Sequence, residues 1–132
     1  MNKSEKRNVQ IVLNAFDALF NRRDYATAER FWSPSCILHS AHIPPGRGGL
    51  FNLIKAMPDT LHYEHHVAAA SGDFTILQGR FSGLGQRAVW VVGDIVRMED
   101  GMLAEHWDVI QDQATQEQSR SGLPMFGEKF PD

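Results

Sequence analysis

Ala88-Val-Trp-Val-Val-Gly-Asp94-Ile-Val-Arg-Met-Glu-Asp-Gly101-Met-Leu-Ala-Glu-His106-Trp-Asp-Val-Ile-Gln-Asp112 is the stretch that decides the fold. Asp100-Gly101, set between two β-rich runs, is a strong hairpin signal. The spacing predicts two long antiparallel strands over 86–98 and 102–112. Laid straight at about 3.4 Å per residue, they would reach about 35–40 Å. A domain of this length has a radius of gyration of only about 14 Å. The strands must therefore bend, and a bent hairpin gives a sheet with a concave face. Two further extended stretches, 62–70 and 74–81, precede the hairpin. Ser71-Gly72-Asp73 and Ser82-Gly83-Leu84-Gly85 punctuate them as turns.

The first third reads differently. Val9, Val12, Leu13, Phe16, Leu19 and Phe20 recur at spacings of three and four, predicting a helix from about Ser4, its expected N-cap, to Asn21. Asp24 can cap a second helix carrying Tyr25, Ala28, Phe31 and Trp32, with Ser33-Pro34-Ser35 ending it. A short strand is expected at 36–40, a Pro/Gly loop at 41–49, and a third helix over 50–57. Helices first and hairpin strands afterwards is the α+β order, with helices on one face of an antiparallel sheet. A curled sheet half-covered by helices leaves a hollow, and a functional site is expected there.

Composition narrows the function classes. The 132 residues suit one domain, with a core over about 9–112 and a tail from 113 onward. Thirteen Lys and Arg against sixteen Asp and Glu give a net charge of -3, unlike a nucleic-acid binder. No apolar run is long enough to span a bilayer, so no membrane partner is expected. The polar start over 1–7 lacks a signal-peptide pattern, and a cytoplasmic location is expected. A lone cysteine, Cys36, excludes an internal disulfide framework and any multi-cysteine metal site.

Alternation along the strands nominates the site. Trp90, Val92, Asp94 and Val96 share one face, as do Ala104, His106, Asp108 and Ile110. Asp94 lies in a run otherwise without charge, where a carboxylate must be paired or protonated. It is either a structural carboxylate, paired for instance with Arg80, or a carboxyl with a raised pKa able to move a proton. His106 and Asp108 project side by side, the pattern of an acid/base pair. Trp107 points the other way, toward expected core or dimer packing. His39 and Ser40 face opposite ways, and either could point inward. His62, His65 and His66 alternate sides in a way that suits no regular metal site. A metal set from His39, His106 and Asp108 is geometrically possible, but nothing in the spacing selects a metal, and none is expected.

Two stretches resemble a known family. Cys36-Ile-Leu-His39-Ser-Ala-His-Ile-Pro-Pro-Gly46-Arg-Gly-Gly-Leu50 is similar to a Tyr-Ile-Gln-His-Asn-Pro stretch followed by a glycine-rich loop. Asp94-Ile-Val-Arg and Glu105-His-Trp-Asp108 closely resemble the same family's hairpin, and Met125-Phe126 its close. The family is the SnoaL-like group of the nuclear transport factor 2-like superfamily. The resemblance implies a cone-shaped α+β barrel, its curved sheet wrapped around N-terminal helices, and a homodimer packed through the convex face on the Trp107 side. It also implies cyclase, isomerase, dehydratase or epoxide hydrolase chemistry, or none. Asp108 falls where the cyclases keep an acid/base aspartate. Asp94 falls where the steroid isomerases keep a protonated oxyanion donor. Ser40 falls near the isomerases' general base, which it cannot replace as a carboxylate, and Gln78 stands where many relatives carry histidine.

The expectation is a cofactor-independent enzyme acting by acid/base chemistry on a small apolar carbonyl compound. Asp108, His106, Asp94 and His39 are its expected catalytic groups, and Ser40, Trp90, Val92, Ile110, Phe16, Phe20 and Gln78 its substrate contacts. The alternative is a non-catalytic ligand-binding or dimerisation module of the same fold.

Overall fold

A computed structural model of the chain describes residues 1–131. Helix α1, Lys3–Phe16, starts two residues earlier than expected. Asn2, not Ser4, is its N-cap: the Asn2 side chain accepts from the Glu5 amide and Glu5 accepts from the Asn2 amide, both at 2.8 Å. This reciprocal box satisfies two otherwise orphaned donors. At Asp17–Asn21 the helix widens into a π-turn, closed by the Arg22 amide on the Asp17 carbonyl at 3.0 Å. The widening buries Ala18, Leu19 and Phe20 in succession. It also aims Asn21 at the sheet, where its side chain trades hydrogen bonds with the Tyr63 backbone at 2.7 and 3.0 Å.

Asp24 caps the single-turn α2, Tyr25–Ala28, as expected, accepting from the Thr27 amide and hydroxyl. Strand β1, Trp32–Leu38, begins earlier than the sequence suggested. Ser33-Pro34-Ser35 sits inside it as an irregularity in the pairing, because proline has no amide to offer the ladder. Helix α3, Gly46–Lys55, starts four residues before the expected Leu50. At Gly49 a Cβ would overlap the Pro44 carbonyl, so only glycine lets the loop fold back on this helix. The Arg23 guanidinium donates to the carbonyls of Ile54, Met57 and Pro58, capping the far end of α3.

The remaining strands are β2 His62–Ser71, β3 Phe74–Ser82, β4 Trp90–Glu99 and β5 Met102–Asp112. Residues 86–89, read as strand from sequence, are turn and loop. The five strands run in the order β1-β5-β4-β3-β2 and the sheet does not close. Four are antiparallel neighbours, and β1 joins β5 in parallel. The architecture is α+β, a curved sheet wrapped around the N-terminal helices. Phe16 is its pivot, stacked on Trp32 at 6.0 Å and edge-on to Phe20 and Tyr63. No helix among the described residues is long and apolar enough to cross a membrane.

The outer face of the sheet is partly covered by the tail. Gln78 donates to the Met125 carbonyl at 2.8 Å, and the Phe126 ring lies under Arg80, with His66 alongside. Beyond the tail, Ile37, Phe74, Ile76, Ile95 and Val109 remain exposed on this face around Trp107.

Candidate functional site

A cavity of about 390 Å³ opens between the concave face and α3. Its walls are apolar: Leu50, Leu53, Ile54 and Met57 from α3, Phe20 from the π-turn, and Val92 and Ile110 from the sheet. Depth is set by the β4–β5 pairing. Val92 lies opposite Ile110, Asp94 opposite Asp108, and Val96 opposite His106. Asp94 and His106 sit at the floor, 3% and 7% exposed, and Trp90 and Ile110 lie toward the opening.

At the floor His106 Nε2 and Asp94 Oδ1 are 2.7 Å apart. Phe16 backs the imidazole ring, with centroids 6.1 Å apart. The second carboxylate oxygen of Asp94, Oδ2, is buried without a hydrogen-bond partner. Asp108 completes the group: one ligating atom from each of Asp94, His106 and Asp108 lies within 4.8 Å of the others. Burial pushes the Asp94 carboxyl above its ordinary pKa; His106 pulls it back part-way, and the Asp108 charge raises it again. For His106, burial opposes the imidazolium, but the hydrogen bond to Asp94 and the charges of Asp94 and Asp108 outweigh it and hold its pKa up. Seen from either partner, the pair retains a proton more firmly than its members would in water.

The structure therefore partners His106 with Asp94 rather than with its strand neighbour Asp108. The contact runs diagonally across the ladder, because Asp94 stands opposite Asp108, two residues along β5 from His106. Arg80, considered from sequence as a partner for Asp94, lies on the outer face and pairs with Glu64.

Trp90, Val92, Ile110 and Phe20 line the cavity as expected, with Asp94, His106 and Asp108. Four other residues do not. His39 is on the outer face, 2.7 Å from Glu105 and stacked on Trp107 at 4.8 Å between centroids. Parity along β1 explains this: Ile37 and His39 point out, so the expected catalytic placement of His39 is corrected. Ser40 turns its hydroxyl to the His42 amide at 3.2 Å. Phe16 lies behind the floor, in the core. Gln78 faces outward and holds the tail. Conversely, the sequence reading missed α3 as a cavity wall, together with Leu61, Phe81, Leu84, Arg87, His42 and Ile43. The apolar stripe Leu50, Leu53, Ile54, Met57 was the available signal, and it reads equally well as core.

Asp94, His106 and Asp108 offer three ligand atoms close enough together to hold a metal ion, with Asp94 in the place considered for His39. A cation there would have to replace the proton between Asp94 and His106.

The sequence profile of the SnoaL-like domain matches residues 12–106. The chain belongs to the SnoaL-like family. Solved structures agree on the nuclear transport factor 2-like fold. A candidate ketosteroid isomerase from Kribbella flavida is 14% identical with a TM-score of 0.73, over 97% of this chain and 98% of that one. A SnoaL-like candidate polyketide cyclase from Jannaschia is 20% identical with a TM-score of 0.69, over 84% and 90%. AclR, a candidate hydroxylase from Streptomyces galilaeus, is 26% identical with a TM-score of 0.66, over 82% and 81%. A comparison of the sequence with curated proteins finds no match.

Proposed function

We propose that this SnoaL-like protein is a cofactor-independent enzyme that moves a proton on a small, largely apolar carbonyl compound. The observation that carries this reading is one group of three side chains, Asp94, His106 and Asp108, gathered within 4.8 Å at the floor of an apolar cavity. Removing a proton next to a carbonyl needs a base and a donor at the oxygen. Asp108, which makes no hydrogen bond to another described side chain, takes the α-proton. The C–H electron pair moves into the carbonyl, and the resulting enolate oxygen accepts a hydrogen bond from the proton that the Asp94–His106 pair retains, presented on the free Oδ2 of Asp94. Return of the proton to a different carbon gives an isomerase; attack of the enolate carbon on a second carbonyl, whose oxygen then takes the proton back from Asp108, gives a cyclase.

The second reading is a non-catalytic ligand-binding module, favoured by the direct pairing of Asp94 Oδ1 with His106. The names carried by the structural neighbours, cyclase, isomerase and hydroxylase, support small-molecule enzymology at family level. We also propose a homodimer formed through the apolar outer face around Trp107.

Exchange of α-protons of bicyclic ketones such as 2-tetralone into D2O, followed by NMR, separates the two readings. The enzyme accelerates exchange over buffer, Asp108→Asn abolishes the acceleration, and Asp94→Asn lowers it by about 10²–10³-fold, the usual loss of an oxyanion donor. Ketones that bind yet exchange at the buffer rate refute the enzyme and leave the binding module.

A further inference from the structure

The cavity is electrically lopsided. Its floor carries two carboxyl groups around one shared proton, while its opening carries Arg87. Arg87 lies in the β3–β4 connection, three residues before Trp90, the first residue of β4. Asp94 is four residues further along that strand, which at about 3.3 Å per residue places floor and opening about 13 Å apart. Among the described residues no carboxylate lies within 4 Å of the Arg87 guanidinium. Its side-chain contact is the Met57 sulfur, 3.9 Å away across the opening, a weak acceptor that leaves most of its donors free. His42 lines the same cavity from the β1–α3 loop, four residues past Leu38, which pairs with His106.

We propose that the ligand is an elongated apolar compound with a carboxylate at one end and a carbonyl or hydroxyl oxygen at the other. The proposal rests on reading the cavity as the ligand site. The carboxylate docks on the Arg87 fork, a planar donor pair that matches its two oxygens. The neutral oxygen reaches the Asp94–His106 proton. The free ligand's carboxylate is disfavoured at the floor end beside Asp94 and Asp108, whereas the enolate arises there only after Asp108 has taken up the α-proton. Charge thus fixes which way round the ligand enters, as apolar walls alone could not.

Matched acid and methyl ester probes test this: 4-hydroxybenzoate and 6-hydroxy-2-naphthoate, each against its own ester, titrated by fluorescence and by NMR. The acid is expected to bind about three- to fivefold more tightly than its ester, the scale of one ion pair at a partly wet opening. That preference shrinks as salt is raised. Arg87→Met, which keeps the stem and removes the charge, brings acid and ester to equal affinity by weakening the acid alone; Arg87→Lys keeps part of the preference. Equal binding of acid and ester to the wild-type protein, absence of binding by either, or a preference that survives Arg87→Met overturns the proposal. Ketone exchange is read on neutral compounds, so loss of the acid preference with exchange intact sinks this inference alone. Intact acid preference without exchange sinks the enzyme reading instead.

Discussion

Replacing Asp94 with Asn keeps the shape of the cavity floor and deletes its charge. In the wild-type protein the His106 imidazole, 7% exposed, stays protonated above its ordinary range because Asp94 lies 2.7 Å away. An opposite charge at this range shifts a pKa by roughly 1–3 units. Asp94→Asn therefore lowers the His106 pKa, with burial left to oppose the imidazolium. Removing one partner of a buried pair costs about 3–5 kcal/mol, and the loss of stability here is expected to be of that order. The assay is the pH titration of the histidine ring signals by two-dimensional NMR, with His106 assigned by its disappearance in His106→Gln. Urea unfolding of the same proteins gives the stability change. A His106 that titrates at the same pH in wild type and Asp94→Asn refutes the pair as the source of the retained proton, and with it the oxyanion donor.

Stability should fall as pH rises, because Asp94 and His106 both have raised pKa values and the folded state therefore holds more protons than the unfolded one. The Asp94 part is present below about pH 3.8 and lost as pH passes upward through its folded value. The His106 part is full below about pH 6.5 and lost above it, so urea midpoints at pH 6 should exceed those at pH 9, and the slope should flatten in an Asp94→Asn, His106→Gln double variant. Gly79→Ala drives a methyl into the Tyr63 ring that lies over that glycine, and should cost about 1–3 kcal/mol in urea unfolding. Val109→Asp, on the 76% exposed centre of the outer apolar face, should convert a dimer to monomer in sedimentation equilibrium; a wild-type protein that is already monomeric removes the proposed interface.

Local chemistry wrote much of this protein plainly. The Asp100-Gly101 turn, the period of two on either side of it, and the three-and-four spacing of Val12, Phe16, Leu19 and Phe20 each depend only on neighbours in the chain. They were enough for the hairpin, the first helix, the bent sheet and the shared face of Asp94 with Trp90 and Val92. The boundaries were harder. Asn2 and Ser4 are both good caps, and only the reciprocal contact with Glu5 chose between them. Proline 34 looked like a stop, yet the ladder simply skips it.

What tertiary structure alone decided is partnership. Alternation says that Asp94, His106 and Asp108 share a face, but register across β4 and β5 determines which two touch, and it brings Asp94 against His106. Likewise, His39 sits on the outer face because β1 docks parallel to β5 at a particular phase, a choice made by the path of the helices before it. Arg87 meets the cavity only because α3 and the β3–β4 connection converge on one opening. A sequence carries periodicity, which is local; contact between distant strands and helices follows from how whole elements bury their apolar faces together.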